Sequence, residues 1–142
     1  MPEVMRKLFL FAALATSVLL PEVSSAGTST WTSQANQVCV VWLAKAKKEF
    51  AAPVTPAGLY TFAVKAKSLE SQELAVLEKI PSAPATGTHA LGVMRADIAE
   101  VGSAISAWNR GDKASFVTIL KQYLNDHRTK AAFAAAGASQ CG

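Results

Sequence analysis

Apolar residues recur along most of this chain at alternating intervals of three and four, the spacing of one helical face, and little of it shows the strict alternation of a half-buried strand. The clearest run is Leu91, Met94, Ile98, Val101, Ile105 and Trp108, spaced 3, 4, 3, 4, 3. That is a heptad seam facing the rest of a bundle. Gly92 and Gly102 lie inside it, each costing about 1 kcal/mol relative to alanine, which points to close backbone approach, a bend or simple tolerance. A second run, Val117, Leu120, Leu124, His127, Ala131 and Ala134, flanked by Phe116 and Tyr123, predicts one helix from Asp112 to the left-handed cap offered by Gly137. Upstream, residues 31–50 are apolar nearly all round from Val38 to Leu43, so this segment is expected to be the most buried. Pro53 stops it. Thr55 and Pro56 open a further helix that carries Phe62, Ala66, Leu69, Leu74 and Leu77 and ends with Ile80 before Pro81 and Pro84.

Four helices of similar length with short links are most simply an antiparallel up-down-up-down four-helix bundle, all-α and of one domain, residues 27–142. The longest link, residues 81–88, is rich in Pro, Ala, Thr and Gly. The tripeptide Arg110-Gly111-Asp112 matches the sequence integrins recognise, yet glycine suits the end of one helix and aspartate the N-cap of the next, which explains the same letters structurally.

Residues 1–26 read differently. Arg6 and Lys7 precede an apolar run from Leu8 to Leu20, Pro21 breaks it, and Ser24, Ser25 and Ala26 supply the small residues of a signal-peptidase site. The run is well short of the roughly 20 residues that span a bilayer, so a cleaved signal peptide is the expectation, with an uncleaved anchor as the alternative. Lys or Arg interrupts every later apolar run, so no stable membrane insertion is expected after cleavage. The destination is secreted, periplasmic or on the exterior of the cell envelope.

In that setting Cys39 and Cys141, the only cysteines, are expected to form one disulfide. An up-down-up-down bundle brings the start of its first helix and the end of its fourth to the same end. Two free thiols or a redox pair are the alternative, although no CxxC spacing or adjacent histidine activates either sulfur.

Ala35-Asn36-Gln37-Val38-Cys39 at the start and Gly137-Ala138-Ser139-Gln140-Cys141-Gly142 at the close resemble the Ala-Asn-x-x-Cys and Gly-x-x-x-Cys-Gly motifs of a group of small exported bacterial proteins. The resemblance implies a helical bundle with the same disulfide. It transfers no catalytic residue, since that group has no established activity, and Ala138 stands where the group often has leucine.

Charge narrows the chemistry further. The chain carries a net +4, and the 12 basic and 8 acidic side chains beyond residue 26 retain all of it. Lys45, Lys47, Lys48, Lys65 and Lys67 alternate with apolar residues as on solvated helix faces, with a patch for anionic lipid or polymer as the alternative. No nucleic-acid motif accompanies the charge. His89 and His127 match no zinc pattern, GxSxG and phosphate loops are absent, and Glu70, Glu73, Glu78, Asp97 and Glu100 have helix-surface spacing, so neither a resident metal nor an enzyme is expected. Two readings remain: a secreted non-catalytic bundle that binds a protein or envelope partner through a helix face or the Trp31 end, or a bundle that holds haem or a small apolar ligand among Met94, Trp108, Tyr123 and His127. In the second, Met94 and His127 lie at similar heights on either side of the turn near Gly111 and form an axial pair.

Overall fold

The computed structural model describes residues 30–52 and 54–142, and the expected signal peptide, residues 1–26, lies outside them. All regular structure among the described residues is helical: α1 Trp31–Glu49, a 3-10 turn Pro56–Gly58, α2 Leu59–Leu77, α3 Ala85–Asn109, α4 Lys113–Asn125 and α5 Arg128–Ala135. The starts follow capping chemistry. Thr30 Oγ1 accepts the Ser33 N–H at 3.2 Å, Thr55 Oγ1 accepts that of Gly58 at 3.2 Å, and the Asp112 carboxylate accepts that of Ser115 at 3.0 Å. Between α3 and α4, Gly111 takes φ +84°, a backbone conformation that costs glycine little.

Helix α3 is the spine, packing against α2, α4 and α5, while α1 packs against α2. Tyr60 near the start of α2 meets Asn109 at the end of α3, and Glu78 just past α2 meets Arg95, so those two helices run in opposite directions. The buried side chains fall into two groups along the spine. One gathers Trp31, Leu77, Leu91, Met94, Phe133 and both cysteines; the other gathers Phe62, Val101, Phe116, Leu120, Tyr123 and Leu124. Cys39 and Cys141 are joined, with Cα atoms 5.0 Å apart across 102 positions of sequence.

Three expectations change. Helix α3 begins at Ala85, inside the segment expected to be a link, because Pro84 serves as its N-cap and Trp31 packs against Gly87 in its first turn. The first helix is not the most buried element: Val40 and Val41 are the most exposed large apolar side chains among the described residues, at 50% and 54%, and α1 buries only the stripe Trp31, Ala35, Cys39 and Trp42. The expected fourth helix is two. Asp126 adopts extended backbone and its carboxylate accepts the Arg128 N–H at 2.8 Å, a local bond that competes with helix continuation and starts α5 afresh. The break turns the chain so that Ala132, Phe133 and Ala136 face the core, while Ala131 and Ala134, the expected seam, are exposed.

Candidate functional site

The four residues expected to line an internal ligand site are not gathered. Met94 is buried in the disulfide-end group. Trp108 and Tyr123 belong to the other group, where Trp108 packs edge-on against Phe116 at 4.9 Å and stacks with Tyr60 at 5.2 Å. His127 lies exposed at the α4–α5 break, so it does not face Met94 within the core, and His89 is exposed on α3. At the Trp31 end, Trp31 itself is only 4% exposed and stacks nearly parallel with Phe133 at 6.5 Å.

The two terminal motifs meet in a clasp around the disulfide. Asn36 accepts the Gln140 N–H at 2.9 Å and donates to the Gly137 carbonyl at 3.5 Å, Thr32 donates to the Ala136 carbonyl at 3.3 Å, and Ala35 is fully buried beside them. These residues tie the last turn of the chain to α1.

Where the two core groups adjoin, polar side chains from α2, α3, α4 and α5 form a waist. Tyr123 donates to Glu70, Thr129 donates to the buried Asp97, and Arg128 reaches Asp97 and Glu100 at 3.3 Å each and also Asp126. Burial, then the Glu70 charge, raises the Tyr123 phenol well above its ordinary range, so it stays a donor. Burial, with Glu70 beside it, raises the Glu73 carboxyl from 4.5 to about 8. Oxygens of Asp97, Glu100 and Asp126 lie within 4.8 Å of one another, which is metal-ligand spacing, but the Arg128 guanidinium already bridges all three.

An open groove of about 580 Å³ lies on the α2–α3–α4 face. Its apolar lining is Ile98, Ala99 and Gly102 from α3 and Ile119 from α4, of which Ile98 is buried. Its polar edge holds Arg95, Arg110 and Lys67, and no carboxylate is among its lining residues. On α3 and its C-cap Arg110, positions 95, 99, 102, 106 and 110 repeat at 4, 3, 4 and 4, one face of a helix. Gly102 leaves space for Lys67: a Cβ there would lie 3.4 Å from the lysine Nζ. Lys67 makes no ion pair among the described residues, whereas Arg95 pairs with Glu78 and Arg110 lies near Asp112. Ser103 and Ser106 donate to the Ala99 and Gly102 carbonyls at 3.1 and 3.0 Å, so both hydroxyls are tied to their own helix. The groove is hard to see in the sequence because its cations come from two helices, although Arg95 and Arg110, fifteen positions apart on α3 and its C-cap, are a visible signal. No helix among the described residues is long and apolar enough to cross a membrane. No protein-family model, curated protein or solved structure matches this chain.

Proposed function

We propose that this chain is an exported, non-catalytic helical-bundle protein that holds a protein or envelope partner in the groove between α2, α3 and α4. In this reading residues 1–26 are a signal peptide removed after Ala26, and α1, α2, α3 and the broken pair α4–α5 run up-down-up-down. The Cys39–Cys141 bond then closes the fold in an oxidising compartment. One observation carries the proposal: Arg95, Lys67 and Arg110 line one groove together with Ile98, Ala99, Gly102 and Ile119, and Lys67 makes no ion pair among the described residues while the carboxylates near the two arginines, Glu78 and Asp112, lie outside the lining. Cations held along a low-dielectric wall create a local positive field that favours an anionic partner. A non-catalytic role accords with the serines spent on backbone bonds and with both histidines exposed outside the groove.

The test is site-specific photocross-linking in the native host. A photoreactive residue replacing Ser103 should give a discrete adduct, and one replacing Val41 on α1 should not. Adducts from position 41 with none from position 103 would overturn the groove as the contact surface.

A further inference from the structure

Taking the groove as the partner surface, we infer that its occupant is an acidic polypeptide segment whose carboxylates recur at about 10 Å. The spacing of the cations carries this. Arg95 and Arg110 are fifteen residues apart on one helix, about 22 Å at 1.5 Å per residue. Lys67 enters from α2 and places its ammonium over Gly102, seven residues from one arginine and eight from the other. Measured along the helix, the root of Arg95, the Lys67 ammonium and the root of Arg110 therefore follow one another at about 10 to 12 Å, with Arg95 also paired to Glu78.

Such a row does not converge on one small anion, because guanidinium groups rooted about 22 Å apart cannot share the oxygens of a single phosphate or carboxylate. An extended chain fits. In polyproline II conformation every third side chain returns to the same side after about 9.3 Å, matching the interval between neighbouring cations. The apolar lining decides between a polypeptide and a uniformly charged polymer. Ile98 and Ile119 offer apolar contact between the cations, which apolar side chains lying between carboxylates can use and which a polyphosphate cannot. Charge pairing at this exposed edge governs capture and register, and the apolar contacts retain the segment.

Synthetic peptides of about ten residues test this by ¹H–¹⁵N chemical-shift titration of the purified protein at low and moderate salt. One peptide carries aspartate at every third position with leucine or alanine between; a second has the same composition with its aspartates adjacent; polyphosphate is the third probe. The spaced peptide should shift resonances of residues 95–110 and bind at least tenfold more tightly than the clustered one. Lys67→Gln should weaken it by roughly tenfold while leaving Tm unchanged, with Arg110→Gln as an independent variant. Equal affinity for the two peptides, or tighter binding of polyphosphate than of the spaced peptide, would overturn the inference. Should cross-linking at position 103 succeed while the spaced peptide fails, the groove remains the partner surface and the acidic-polypeptide assignment falls. Failure of both removes both.

Discussion

At the disulfide end, the core joins chain segments that are far apart in sequence: Trp31, Ala35 and Cys39 pack with Phe133, Ala138 and Cys141. At the other end, the core draws only on residues between 50 and 124, in helices that follow one another, and it is rich in rings: Phe50, Phe62, Tyr60, Trp108, Phe116 and Tyr123. The difference is one of closure entropy. Consecutive helices joined by short turns meet at little cost, whereas bringing α1 to the last turn orders a loop of about 100 residues before any contact there is made. The covalent bond and the Asn36 clasp stand at the end that needs them. The ring-rich end holds itself.

Removing the bond breaks this comparison most directly. With both cysteines changed to serine, stability should fall by about 4 to 5 kcal/mol on the chain-entropy account of a loop this long. In hydrogen exchange, α1 and α5 should lose protection first, while α2, α3 and α4 keep theirs. Uniform loss across all five helices would show that the two ends are one cooperative unit. Single truncations sharpen the point. Phe133 and Phe116 are both fully enclosed, at 1% and 0% exposure, so each change to alanine should cost about 3 to 5 kcal/mol in denaturant melts. Combined with loss of the disulfide, Phe133→Ala should be clearly non-additive because it shares the group containing the cysteines, and Phe116→Ala should add within about 0.5 kcal/mol.

The waist between the two ends supplies a pH dependence. The folded chain keeps the proton on Glu73 up to about pH 8, while an unfolded chain releases it near 4.5. Between those values the folded state binds more protons, so stability falls as pH rises through that window and levels off above it. The loss is on the order of 3 kcal/mol once partial solvent access is allowed for. Glu73→Gln should flatten Tm between pH 5 and 8 and raise it at pH 9 relative to the parent protein. An equally steep profile in the variant would place the titrating group elsewhere.

How far the sequence speaks for this structure depends on how local each signal is. The seam Leu91, Met94, Ile98 and Val101 is buried as the spacing predicts, Gly111 and Asp112 end and start helices, and the cysteines pair, because each of these follows from short-range geometry or from a single possible pairing. The α4–α5 break escapes the periodicity because intervals of three and four continue across it. The warning lies in Asn125-Asp126 followed by Thr129, capping residues in the middle of an apolar pattern. That error moved the expected seam to Ala131 and Ala134 and placed His127 inside a core it does not enter. The run from Val38 to Leu43 misled for another reason. Periodicity shows that a helix can bury a face, whereas which neighbour covers it is a tertiary fact. The groove is the least legible feature, since Lys67 lies in a different helix from Arg95 and Arg110.

The smallest expected effects compare two glycines of one helix, five positions apart. At Gly87 an added Cβ would lie 2.9 Å from two ring atoms of Trp31 and 3.1 Å from Pro84 Cδ, so the disulfide-end core is assembled on the absence of a side chain there. Trp31 is buried, with its ring parallel to that of Phe133. Gly87→Ala should therefore destabilise by about 1 to 2 kcal/mol, the overpacking cost partly offset by alanine's better helix propensity. Around Gly92 nothing lies within 4 Å of the same added atom. Gly92→Ala should stabilise by about 0.5 to 1 kcal/mol through propensity alone. Opposite signs in thermal melts would assign Gly87 to packing and Gly92 to tolerance. A stabilising Gly87→Ala would mean that Trp31 moves freely, and with it that the disulfide end is looser than its clasp implies.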